Sequence, residues 1–138
     1  MDQATIDQLR AELAEHSMFE LLGGADGLRR VVDDFYDLMD TDPLFAPIRT
    51  MHDSDLTAIK DGLFAYLAGW LGAPPQYAQR PGARCIGAAH APFMIDERAR
   101  DLWVECMHRS MVAGGLADRY REALMPALAQ MADALRNV

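Results

Sequence analysis

The sequence predicts an all-α protein built on four main helices, and three observations predict it. Apolar residues recur at helical spacing in four separate stretches. Glycine or proline pairs (Gly23-Gly24, Pro74-Pro75, Gly114-Gly115) separate those stretches. No alternating, strand-like pattern occurs anywhere along the chain.

Taken in order, the first candidate is weak. Ile6, Leu9 and Leu13 suggest a short extra helix ahead of Ser17, so residues 1–16 read as an N-terminal extension and residues 17–138 as the main domain. In "LRRVVDDFYDLM" the apolar stripe is Leu28, Val31, Val32, Phe35 and Met39, with Asp26 the expected N-cap. "DSDLTAIKDGLFAYLAGWL" repeats the pattern through Leu56, Ile59, Leu63, Tyr66, Leu67 and Trp70. Asp53 or Ser54 is expected to cap it, and Gly72 with Pro74-Pro75 to stop it. Residues 72–89 are rich in glycine and proline and read as an extended loop that ends at His90. "DERARDLWVECMHRSMV" carries Ala99, Leu102, Trp103, Cys106, Met107, Ser110 and Met111 on one face, with Asp96 as the expected cap. The last segment aligns Leu116, Tyr120, Leu124, Leu128, Met131 and Leu135, and Pro126 is expected to kink it or start it anew.

A chain of 138 residues suits one domain and can bury a core without metal or disulfide staples. The net charge of −8 argues against nucleic acid and anionic membrane as partners, since both would be repelled. No apolar run reaches the roughly 20 residues of a spanning helix, and the acidic start lacks the features of a signal peptide. A cytoplasmic location is therefore expected. Two cysteines are too few for a disulfide framework. Cys85 and Cys106 are expected as free thiols, the latter as a small core residue.

His90 is the residue that asks for a chemical account. It stands at the end of the loop, and no second histidine or cysteine is spaced to close a zinc site with it. It can be a structural histidine. It can be a catalytic base, although no nucleophile elbow or Cys-His signature accompanies it. It can be an axial ligand of haem, where the porphyrin supplies four nitrogens and the protein need supply only one.

Three runs, "GGADGLRRVVDDFYDLMDTDP", "MHDSDLTAIKDGLFAYLAGWLGAPPQY" and "HAPFMIDERARDLWVECM", together resemble the group II (O-type) truncated haemoglobins. The resemblance extends from about Met18 to Met111 and loosely into the last helix. It implies a two-over-two helical sandwich around haem b. His90 then matches the proximal iron ligand, Tyr36 and Trp103 the polar distal residues, and His52 a further distal position. Ile59 and Leu63 match the ligand-facing side of the second main helix. Phe64, Tyr66, Leu67, Phe93 and Met107 are implied as haem-lining residues. Tyr36, Trp103 and His52 would donate hydrogen bonds to a bound diatomic ligand.

Departures from the family pattern fall on cations. Two arginines common just before the proximal histidine are here Gly87 and Ala89, and a basic residue common on the second main helix is here Gly62. Haem propionates on so acidic a protein need local positive partners. Arg84 is the first candidate and Lys60 the second, with Arg80 and the Tyr77 hydroxyl beside them. The resemblance thus implies a monomer or homodimer that binds oxygen, carbon monoxide and nitric oxide at a pentacoordinate iron. Redox chemistry on peroxide or nitrogen oxides is a variant of that function. The alternative is a globin-fold sensor or interaction module with weak or no haem binding.

Overall fold

The computed structural model describes residues 1–138, and all of its regular structure is helical. In chain order the helices are α1 (Gln3–Glu15), α2 (Met18–Leu21), α3 (Gly24–Thr41), α4 (Ala46–Arg49), α5 (Thr57–Trp70), α6 (Ile86–His90), α7 (Glu97–Ala113) and α8 (Asp118–Ala134). The four long stripes of the sequence become α3, α5, α7 and α8. α5 packs on α3, α3 packs on α7, and α7 packs on α8. The core is the sum of the stripes: Leu28, Val31, Val32, Phe35 and Met39 meet Leu102, Cys106, Met107 and Met111, and Leu124 and Leu128 close the far side.

Helix starts separate the expected caps from the observed ones. Asp96 accepts a hydrogen bond from the Ala99 amide at 2.8 Å and caps α7 as expected. Asp26 does not cap α3. Gly23 takes a left-handed conformation after α2, and the helix starts at Gly24, which leaves Asp26 in the first turn, where its charge suits the helix dipole. Asp53 and Ser54 do not cap α5 either. Their carbonyls accept from the Arg49 guanidinium at 3.0 and 3.3 Å, and this holds them in a turn. The Asp55 carboxylate receives the Thr57 amide at 3.0 Å instead. α8 runs continuously through Pro126, so the expected restart does not occur.

α1 is a regular helix capped by Asp2, whose carboxylate accepts from Thr5. Leu9 enters the core. Glu12 accepts from the Arg119 guanidinium at 2.6 Å and from the Tyr120 hydroxyl, so the extension is bound to α8. α4 and the single turn Pro43–Phe45 before it were not visible as periodicity, yet they bury Phe45 and Ile48.

One close approach dictates a residue. A Cβ on Gly27 would stand 2.0 Å from the Leu22 carbonyl oxygen, so only glycine lets α3 pass beneath the end of α2. Alanine gains about 1 kcal/mol of helix propensity, which does not offset such an overlap. Gly27→Ala should destabilise the protein by about 2 kcal/mol, read as a lower urea midpoint at unchanged slope. An unchanged midpoint would mean that the turn at Leu22 relaxes freely.

Candidate haem site

The expected loop from residue 72 ends early. Cys85 is extended and its Sγ accepts from the Ala88 amide at 3.4 Å, which starts the five-residue helix α6. His90 is therefore the last residue of a helix and not the end of a loop. Its Nδ1 lies 2.6 Å from the Ile86 carbonyl oxygen. A carbonyl only accepts, so the proton sits on Nδ1 and Nε2 keeps its lone pair. This is the arrangement that orients an imidazole as a metal ligand. No residue of α6 is buried. The segment that follows is fastened by Asn137, whose side chain donates to the Phe93 carbonyl at 2.6 Å and accepts from the Ile95 amide at 2.9 Å.

The polar candidates on the other elements come from α3, the segment after α4, and α7. Tyr36 is buried, 3% exposed, with its ring centroid 5.8 Å from that of His52. Its hydroxyl makes no hydrogen bond within the protein. No sealed side-chain nitrogen or oxygen is left without a partner, so that residual exposure includes the hydroxyl oxygen. Burial first, and the neighbouring Cys106 second, push the phenol pKa upward, so it remains a protonated donor. Trp103 is half-buried and meets Phe35 edge-on at 5.5 Å. His52 Nδ1 donates to the Ile48 carbonyl at 2.8 Å, which leaves Nε2 as an acceptor. Burial lowers the His52 pKa, Arg49 and His90 lower it further, and the Ile48 bond and Asp53 act in the opposite direction. In that tautomer a neutral His52 offers Nε2 as an acceptor.

The apolar candidates divide into two groups. Leu67 and Met107 are turned into the core, where they line a small apolar cavity with Leu28, Leu124 and Leu128. Ile59 and Phe93 are large apolar side chains left exposed, at 43% and 40%. Leu63 and Phe64 are half-buried on the same helix as Ile59, and the Phe64 ring carries the Arg29 guanidinium. Tyr66 and Tyr77 stack edge-on at 5.4 Å and join α5 to the single turn Tyr77–Gln79. The cation candidates fare less well. Arg84 is exposed and makes no ion pair, while the Lys60 ammonium is shared with Asp37 at 3.8 Å. No group of three or more His, Cys, Asp or Glu side chains converges as a metal site of its own.

The Bacterial-like globin family model matches residues 17–137. The group 2 truncated haemoglobin YjbI of Bacillus subtilis is 36% identical over 101 residues, 73% of this chain and 74% of that protein. The chain belongs to the truncated haemoglobin family. Solved structures agree with this. A cold-adapted truncated haemoglobin from Pseudoalteromonas haloplanktis TAC125 superposes with a TM-score of 0.83 at 32% identity, covering 89% of this chain and 99% of its own. The group II two-on-two haemoglobin of Agrobacterium tumefaciens superposes at 0.82 and 30% identity, covering 88% and 95%. The pair-over-pair packing of α3, α5, α7 and α8 is the two-over-two globin fold.

Membership implies haem-based oxygen binding, and the residues present fit that group. An imidazole with a free Nε2, an unpartnered phenol on α3 and exposed Ile59 and Phe93 are the kind of donor set and apolar surface that a haem requires. No helix of this truncated haemoglobin is long and apolar enough to cross a membrane. Two supports of the site were not read from the sequence. Asn137 is 47 residues from His90, and nothing local marks it. Cys106 fits the core stripe in sequence, and its thiol also donates to the Phe35 carbonyl at 3.3 Å, beside Tyr36, while burial raises its pKa to about 12. Both cysteines are free.

Proposed function

We propose that this truncated haemoglobin holds haem b through Nε2 of His90 and reversibly binds oxygen, carbon monoxide and nitric oxide on the side of Tyr36. The bond from His90 Nδ1 to the Ile86 carbonyl carries this reading, because it fixes the tautomer and aims a basic nitrogen away from α6. When bound, haem supplies an iron with one position for the protein and one for a diatomic ligand. The chain does the rest. His90 supplies the axial nitrogen. Tyr36 donates a hydrogen bond toward the ligand side, and the Trp103 indole N–H is a second donor there. The His52 ring meets the Tyr36 ring edge-on and so orders the phenol. Ile59, Leu63, Phe64 and Phe93 exclude water from the ring. The Bacillus subtilis structure is described as oxygen-avid, which agrees with a polar ligand side. Peroxide or nitrogen-oxide turnover is a variant of the same site. Titration with haemin tests the reading: a sharp end point at one equivalent and a Soret band typical of a histidine-ligated haem are expected.

A second reading, a globin-fold sensor or interaction module with weak haem, has one observation in its favour: α6 buries none of its residues. A shallow titration without an end point would select it.

The neutral His52 has a consequence for the apoprotein. Its folded pKa lies below the ordinary 6.5. As pH falls through about 6.5, the unfolded chain takes up the proton first, so stability is present above that pH and declines below it. Urea midpoints at pH 7.5 and 5.5 should differ less in His52→Phe than in the parent. Equal differences would show that His52 titrates freely in the fold.

A further inference from the structure

Eight of the thirteen Lys and Arg side chains are paired with carboxylates. Of the other five, Arg10, Arg30, Arg84 and Arg98 are exposed, where water solvates a guanidinium well. Arg80 alone is both half-buried and without an acidic partner. Its guanidinium makes one long hydrogen bond, from Nη2 to the Ala58 carbonyl at 3.4 Å, and keeps most of its donors free. A guanidinium with free donors beside an apolar face is suited to receive an anion.

Where the guanidinium lies is specific. A Cβ on Gly62 would stand 2.7 Å from Arg80 Nη1. Gly62 is buried within α5, and its backbone needs no left-handed conformation. A helix-interior glycine is unfavourable relative to alanine, and here the arginine tip lies in the volume that a side chain at 62 would enter. Gly62 shares a face of α5 with Ile59 and Tyr66, at spacings of three and four residues. That face is the one assigned to haem. It is also the position where the family resemblance implies a basic residue.

We infer that Arg80 is the residue that binds a haem propionate, reaching over Gly62 from the loop to supply the cation that α5 lacks. This rests on the haem reading above. It replaces Arg84, which is exposed, and Lys60, which is engaged by Asp37. Gly62 and Arg80 form a matched pair: the glycine leaves the space and the arginine fills it. Tyr77, three residues before Arg80, anchors the turn on Tyr66, and the Arg80 amide donates to its carbonyl at 3.2 Å. The guanidinium is therefore delivered by a segment tied to α5 itself.

The test is haem transfer from the ferric protein to excess apomyoglobin, followed at the Soret band. Arg80→Ala should lose haem about five-fold faster than the parent, or ~1 kcal/mol at about 1.4 kcal/mol per decade. Arg84→Ala, with the same change of charge, should lose it at the parent rate. Arg80→Ala combined with Gly62→Lys should recover most of the retention, because the lysine enters the space the guanidinium left. With haem dimethyl ester, which has no carboxylates, parent and Arg80→Ala should release the group equally fast. Apoprotein melting temperatures check that the variants fold. Equal rates for the parent and Arg80→Ala with ordinary haem would overturn the assignment, as would an equal loss in Arg84→Ala or a persisting difference with the ester. If the parent takes up no haem at all, the haem reading itself falls, and this assignment with it.

Discussion

His90→Ala should raise haem loss by more than about 100-fold. Removing a partner that merely orients a metal-bound histidine costs about 10–100-fold in affinity, and removing the ligand itself exceeds that. The geometry adds a sharper expectation. α6 buries none of its residues, so truncating His90 leaves the core intact and the apoprotein should melt near the parent temperature. The defect should thus be confined to haem. Adding millimolar imidazole to His90→Gly should restore an optical spectrum of nitrogen-ligated haem, because the free base places the same donor in the same space. Resonance Raman spectra that still show the parent iron–histidine mode in His90→Ala would remove His90 from the account.

Tyr36→Phe should raise the oxygen dissociation rate about ten-fold. A hydrogen bond to a partly charged acceptor is worth about 1.5 kcal/mol, and about 1.4 kcal/mol is a decade. Two features separate this from a general disturbance. The Tyr36 hydroxyl has no partner within the protein, so phenylalanine removes a donor without stranding an acceptor, and the apoprotein should not lose stability. Burial raises the phenol pKa, so the effect should be constant from pH 6 to pH 9. Stopped-flow dissociation at several pH values checks both points. A parent-like rate in Tyr36→Phe would assign the ligand contact elsewhere. Trp103→Phe and the double variant then show whether the indole substitutes for the phenol.

The four long helices were legible because each buries one face, and burial imposes a period on the sequence. α4 and α6 were not, since four and five residues are too few to show one. Caps were legible where one acidic side chain stood alone before an apolar stripe, as at Asp96. They were misread where a competing contact held the chain, as Arg49 does with Asp53 and Ser54. At the site, His90 drew notice because it had no partner in the sequence, and its chemistry came from the family resemblance. The role of His52 depends on which ring nitrogen faces Ile48, which no residue pattern encodes. Arg80 meets α5 at Gly62, 18 residues earlier, and that contact exists only in the fold. A missing cation was visible in the sequence, while its replacement required coordinates.

The central claim is that one haem binds through one histidine. Titrating the apoprotein with haemin while recording the Soret region tests it most directly. The account predicts an end point at one haem per chain, a carbon monoxide adduct after reduction, and loss of the end point in His90→Ala. A parent protein that gives no end point, or a His90→Ala variant that titrates like the parent, would contradict it.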